Sequence, residues 1–214
     1  MITTKALRAL ARKGDAEAQF RLGYRLAFRR GARPQWQRAL VWWRAAAAGG
    51  NHRGAFYTGV AYDFGRGTPR DPAKAAAMYM RAVGLGHVVA MYNLGMCFRD
   101  GLGVRRNVRE ALRWFRSAAA HGCAEAALEL GYAFHVGRGV REDQVRAVHW
   151  YRRAARGGDA RARYNLALCH LHGTGVRVNR ARALAFARRA ARAGHAAARL
   201  LVAKLNARRR RADG

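Results

Sequence analysis

The sequence predicts an all-α solenoid of five 36-residue helix-turn-helix repeats, with half-repeats as caps at both ends. Two observations give the period. Gly14, Gly50, Gly86, Gly122, Gly158 and Gly194 fall 36 residues apart, and Gly31, Gly67, Gly103, Gly139 and Gly175 keep the same step. Gly23, Gly59, Gly95 and Gly131 follow it too, with Ala167 in the fifth place, and two alanine series run in phase: Ala39, Ala75, Ala111, Ala147, Ala183 and Ala46, Ala82, Ala118, Ala154, Ala190. A third observation gives the helices. The 214 residues hold only 3 prolines and many alanines, the worst and best helix formers. A hydrophobic fraction of 51% excludes wholesale disorder, since that much apolar surface must be buried.

The elements follow in order. Residues 1–14 read as an N-terminal capping half-repeat, because "ALRALARKG" overlays the last turns of a second helix. The five repeats are 15–50, 51–86, 87–122, 123–158 and 159–194. First helices begin at Asp15, Asn51, His87, Cys123 and Asp159, of which the acids and the amide are strong N-caps and His87, Cys123 and the later His195 weaker ones. Second helices start near Gln35, Asp71, Asn107, Asp143 and Asn179; Pro72 stands at a first helical position, and Asn107 with Glu110 resembles a capping box. Between the two helices lies a Gly-x-Gly turn such as Gly137-Arg138-Gly139. An isolated copy could be taken for a phosphate loop, but one copy per repeat is punctuation, and both glycines are expected at positive φ. The glycine that ends each repeat sits where a left-handed C-cap belongs. Residues 195–207 read as a C-terminal capping helix and 208–214 as a basic tail.

Written out, Ala90–Gly122 carries Leu94, Gly95, Phe98, Gly101, Gly103, Val104, Asn107, Ala111, Trp114, Phe115, Ala118, Ala119 and Gly122. This resembles the Sel-1-like repeat, and the fourth repeat matches as well through Leu130, Gly131, Phe134, Gly137, Gly139, Val140, Asp143, Ala147, Trp150, Tyr151, Ala154 and Ala155. Repeat one departs from the pattern at Arg29 and Ala32, and repeat five at Ala187, where an aromatic is expected. The resemblance implies a right-handed α/α superhelix related to tetratricopeptide arrays, used as a non-catalytic adaptor that assembles proteins. Regular cysteine pairs, found in some secreted members, are missing from this chain.

By analogy with tetratricopeptide arrays, one face of the first helices lines a concave groove for a protein or peptide partner. The expected partner-binding residues are Tyr57, Tyr92, Asn93, Met96, Arg99, Glu129, Tyr132, Tyr164 and Asn165, with Phe20, Tyr24 and Phe56 in equivalent places. Rings supply contact area, and amides can pair with a peptide backbone.

Charge suggests an alternative. Lysine and arginine number 42 against 12 acids, for a net charge of +30, and all but four of the bases are arginines. Such an excess points to an acidic partner. Arg116, Arg152, Arg153, Arg156, Arg188, Arg189 and Arg192 on the second helices form the expected polyanion-binding ridge, with nucleic acid or another acidic polymer as its partner.

Catalysis, metal and cofactor are not expected. Cys169, His170 and His172 are spaced i, i+1 and i+3 and do not converge on one helix face, and no nucleophile or phosphate-loop motif occurs. Three irregular cysteines, Cys97, Cys123 and Cys169, fit a reducing compartment. Without a signal-like start or an apolar stretch of spanning length, a cytoplasmic location is expected, with a secreted effector as the further option. The sequence leaves the oligomeric state open.

Overall fold

The structure, a computed structural model, describes residues 3–210, and all of their side chains except those of residues 4 and 208–210. The basic tail at 208–214 therefore lies outside the described side chains. Among the described residues there are twelve helices and no strand. They divide into two compact units, residues 1–111 and 112–214. The first holds α1 (Thr4–Arg12), α2 (Ala16–Phe28), α3 (Trp36–Ala48), α4 (His52–Phe64), α5 (Pro72–Gly84), α6 (Val88–Asp100) and the start of α7 (Val108–Ala120). The second holds the rest of α7, then α8 (Ala124–Val136), α9 (Gln144–Arg156), α10 (Ala160–His172), α11 (Arg180–Arg192) and α12 (Ala196–Arg210).

Helix starts are fixed by side-chain caps. Asp15, Asn51, Asp71, Asp143, Asp159 and Asn179 each accept a hydrogen bond from the backbone N–H three residues on, at 2.6–3.0 Å. Asn107 accepts in the same way from Glu110 at 3.0 Å. The two histidines are competent caps as well: Nδ1 of His87 and of His195 accepts from Ala90 and Ala198 at 3.2 Å. Gln35 and Cys123 make no such bond. First helices α4, α6, α8 and α10 end on a left-handed glycine, whereas α2 ends on Arg29 in an extended conformation. An arginine avoids the left-handed region that a glycine enters freely, so repeat one leaves its first helix by a different path.

Within each unit, consecutive helices pack as hairpins, and each hairpin packs on the next. The two alanine columns are the points of closest approach: Ala46, Ala82, Ala118, Ala154 and Ala190 are all fully buried, as are Ala75, Ala111, Ala147 and Ala183. A glycine column sits against an aromatic column. A Cβ on Gly23 would come within 2.6 Å of Trp43, on Gly59 within 2.8 Å of Tyr79, and on Gly131 within 2.5 Å of Tyr151. Repeat five changes both partners together. Ala167 replaces the glycine and Ala187 the ring, and the two pack with Leu201 of α12 in one apolar cluster. At the other end, Leu7 and Ala11 of α1 bury against Ala18 and Leu22 of α2.

The Gly-x-Gly turn owes its second glycine to a close approach. Gly103 has φ +72°, and a Cβ there would stand 2.0 Å from the Pro72 carbonyl oxygen, at the start of the preceding second helix. Gly175 meets Gln144 in the same way, at 2.2 Å. The residue between the glycines varies among Arg66, Leu102, Arg138 and Thr174, and where it is arginine it lies over a ring, Arg66 over Trp36 at 4.9 Å and Arg138 over Tyr132 at 5.4 Å.

Candidate functional site

The first-helix face is most developed in the first unit. Phe20, Tyr24 and Phe28 of α2 and Phe56 and Tyr57 of α4 form a continuous set of ring contacts, with centroids 4.7–6.0 Å apart. Phe20 is in the core at 5% exposure, but Tyr24 and Phe28 remain 43% and 41% exposed. Tyr57 sits at the centre, half-buried, against Trp43 at 5.2 Å and Tyr24 at 5.6 Å. Burial, followed by the Tyr24 hydroxyl, raises its pKa, so it stays a neutral phenol. A cavity of about 450 Å3 opens here, lined by Phe20, Tyr24, Phe56 and Tyr57 with Arg53, His87 and Val89.

The rim is ordered by one carboxylate. Glu17 accepts hydrogen bonds from Arg21 at 2.7 Å and from Asn51 and Arg53 at 2.9 Å. Burial works against its charged form, but these donors and the charge of Arg53 outweigh it and hold its pKa below the usual value. Arg53 is thereby held 4.7 Å above the Phe20 ring. His87 stacks on Phe56 at 4.3 Å, with its pKa pushed down to about 4 by burial and by neighbouring His52.

The other expected groove residues distribute unevenly. In the first unit, Tyr92, Asn93, Met96 and Arg99 are all half-buried on α6. Asn93 lies beside the hydroxyl of Tyr79, which donates to Asp63 Oδ2 at 3.2 Å, and Arg99 holds Asp100 with two bonds at 2.7 and 2.8 Å. In the second unit, Glu129 is half-buried beside Tyr151, and Asn165 lies beside the Tyr151 hydroxyl as Asn93 lies beside that of Tyr79. Tyr164 stacks on His195 at 4.6 Å. Tyr132 is the open ring of this set, 42% exposed with Arg138 at 5.4 Å over it. Each asparagine thus sets the first helix of one repeat beside the second-helix ring of the repeat before it, a proximity not visible in either segment alone. Exposed Tyr24 and Phe28 were the residues underweighted by sequence; their i, i+4 spacing on α2 was the available signal.

The second-helix arginines do not form a uniform ridge. Arg116 and Arg188 are exposed, the latter 3.5 Å from the side-chain oxygen of Asn206. Arg153 turns inward and donates to the carbonyls of Ala119 and Ala120 at 2.6 and 3.3 Å, where a cation is favoured at a helix C-terminus. Arg152, Arg156, Arg189 and Arg192 are exposed as well, and they line one open cavity in the second unit. Among the described residues, no three His, Cys, Asp or Glu side chains are grouped to hold a metal, and Cys97, Cys123 and Cys169 are free thiols. Burial is the main cause raising the pKa of Cys97, to about 11, so it is a core thiol and not a nucleophile.

The Sel1 repeat matches five consecutive segments, residues 16–51, 52–87, 88–123, 124–159 and 160–195. This chain belongs to the Sel1 repeat family. A protective antigen of uropathogenic Escherichia coli with an SLR fold superposes with a TM-score of 0.91 at 32% identity, over 96% of this chain and 44% of the antigen. A Sel1 repeat protein of Oxalobacter formigenes gives 0.85 at 28% identity, over 94% of this chain and 59% of that one. This chain therefore spans about half the length of these two Sel1 proteins. An immunity protein of Pseudomonas aeruginosa, 24% identical with a TM-score of 0.54, shares the fold. No curated protein matches by sequence. Sel1 repeats are generally scaffolds for protein–protein interaction, and nothing in these likenesses supports a nucleic-acid partner. No helix among the described residues is long and apolar enough to cross a membrane.

Proposed function

We propose that this chain is a non-catalytic adaptor that docks a protein or peptide on the exposed face of its first helices. The observation that carries the reading is the ring surface of α2 and α4. Tyr24 and Phe28 stand exposed beside a 450 Å3 cavity floored by Phe20 and Tyr57. Aromatic side chains fixed by their neighbours offer contact area at little entropic cost, which is the character of interface anchors. Arg53 and Glu17 at the rim supply one cation and one anion for register. Tyr132 and Tyr164 extend the same register into the second unit, and free cysteines suit a reducing, cytoplasmic setting.

Capture from native extract tests this, with the chain immobilised and washed at about 1 M salt, where the Debye length is about 3 Å. A specific partner should survive that wash and be lost from a Tyr24→Ser/Tyr132→Ser variant of unchanged melting temperature. It should be retained by Arg116→Gln/Arg188→Gln. Capture that disappears with salt, or that ignores the tyrosine changes, would sink the reading.

A further inference from the structure

The second unit contains a cavity that docking on the first helices does not use. It has a volume of about 740 Å3 and is lined by Arg152 and Arg156 of α9, Arg163 of α10, and Arg189 and Arg192 of α11. An adjoining cavity of about 240 Å3 shares Arg152, Arg189 and Phe186 with it and adds Arg182 and His170. No acidic side chain lines either one. Among the described residues, none of these six guanidiniums has a hydrogen bond or an ion pair. The remaining wall is apolar, formed by Leu166, Phe186 and two alanines.

A second observation points into the same space. His170 lines the smaller cavity at 3% exposure, yet its Nδ1 has no hydrogen-bond partner. An unpaired buried nitrogen is costly, and a ligand that reaches it removes the cost. Its ring lies parallel to Phe186, with an interplanar angle of 8° and centroids 5.7 Å apart. Burial, followed by the charges of Arg182 and Arg152, pushes its pKa down, so the ring adds no further positive charge.

Three repeats earlier, the first unit shows the same groove with its cations satisfied. Arg44, Lys74 and Arg81 hold the register of Arg152, Arg182 and Arg189 in a cavity of about 270 Å3. There Arg44 donates to the Tyr62 hydroxyl, Lys74 pairs with Asp71 at 2.8 Å, and Arg81 reaches the Ala48 carbonyl at 3.4 Å. In the second unit His170 replaces Tyr62, Asn179 replaces Asp71, and Arg156 replaces Ala48. Ala55 and Gly84 likewise give way to Arg163 and Arg192. The partners are lost and three cations are gained, which raises the local positive potential and attracts an anion.

We propose that this cavity binds a nucleoside oligophosphate, with the phosphates among the guanidiniums and the base against Phe186. One phosphate or carboxylate satisfies about two guanidinium forks, whereas six are present here. Arg182, Arg189 and Arg192 are spread over roughly 15 Å of α11, at about 1.5 Å per residue, which suits a linked row of phosphates. The volume lies within the range of about 300–1,000 Å3 usual for cofactor-sized ligands. The apolar wall and its ring call for a flat organic group at one end of that row.

Isothermal calorimetry on the full chain tests this with ATP, tripolyphosphate and a short single-stranded oligonucleotide. ATP should bind at a single equivalent and about tenfold more tightly than tripolyphosphate, the increment of stacking one base. Arg152→Gln/Arg189→Gln should weaken both by about 100-fold, while Arg44→Gln/Arg81→Gln leaves them unchanged. Phe186→Leu should abolish the preference for ATP and spare tripolyphosphate. Competition between the two ligands on the unsubstituted chain reads that preference even if a variant fails to fold. Multiple equivalents, equal loss in both arginine pairs, or tripolyphosphate as tight as ATP would each overturn the proposal. So would binding of the oligonucleotide alone.

Discussion

The groove of α3, α4 and α5 and the groove of α9, α10 and α11 are built on the same register and share three cationic positions, and they differ in what surrounds those cations. Underneath, Ala46 and Ala154 are both fully buried, and an asparagine of the following first helix stands beside the second-helix ring in each unit, Asn93 at Tyr79 and Asn165 at Tyr151. On top, one groove pairs its cations and the other lines a cavity with cations that have no hydrogen bond or ion pair among the described residues. Columns that set backbone distance are therefore held fixed, whereas columns that face outward have been rewritten freely. In a stack where each repeat touches only its neighbours, such rewriting costs the scaffold little. Specificity in this chain is accordingly expected in the outward columns.

The largest effect should come from breaking a fixed column in repeat four and asking whether repeat five's solution rescues it. Tyr151 is 2% exposed, and Tyr151→Ala should cost about 3–5 kcal/mol, as for other large buried rings. Gly131→Ala alone should cost about 1–3 kcal/mol, because its Cβ would meet the Tyr151 ring at 2.5 Å. Together the two changes recreate the Ala167–Ala187 pair and should cost less than their sum by about 1 kcal/mol or more. Urea denaturation of the four proteins measures the coupling. Strict additivity would mean that the paired change in repeat five is not compensation.

A smaller contrast separates two glycines of similar backbone angle. Gly103 and Gly86 have φ of +72° and +85°, but only Gly103 faces a neighbour, the Pro72 carbonyl. Gly86→Ala should cost about 1–2 kcal/mol, the penalty of a left-handed residue, while Gly103→Ala adds an overpacking term of about 1–3 kcal/mol. The difference in denaturation midpoint checks whether the turn glycine serves contact as well as conformation.

The fixed columns were the legible part of the sequence. Period, caps and turn glycines repeat, and repetition is what a linear reading detects. Asn93 and Asn165, read as groove residues from their columns, also stand beside the Tyr79 and Tyr151 hydroxyls, a proximity that only the stacking of successive repeats creates. Column membership also fails to fix a rotamer. Arg153 and Arg189 share a register position, but one turns inward to the Ala119 carbonyl and the other lines the cavity. The cavity itself draws on α9, α10 and α11, so half-buried Arg163, on the intervening first helix, had no place in a ridge read along second helices.

The smallest effect sharpens the same comparison at the two histidine caps. His87 stacks on Phe56 and His195 on Tyr164, at corresponding positions in the two units, but His87 also has the His52 ring 5.3 Å away, where the second unit has Ala160. Burial first, and His52 next, bring the pKa of His87 down to about 4 from an ordinary 6.5. Between those values the unfolded chain binds a proton that the folded chain excludes, so stability rises with pH across that window and is lost as pH falls through it. Protonation would also remove the Nδ1 lone pair that accepts from the Ala90 N–H. His87→Asn retains a capping oxygen without a titrating ring, and its melting temperature should fall less than that of the unsubstituted chain between pH 7 and about pH 5. His52→Ala, which copies the second unit, should shrink the loss of stability between pH 7 and about pH 5, because it removes a neighbour that opposes protonation of His87 and so brings the folded pKa closer to the unfolded one; an unchanged profile in both variants would place the pH dependence elsewhere.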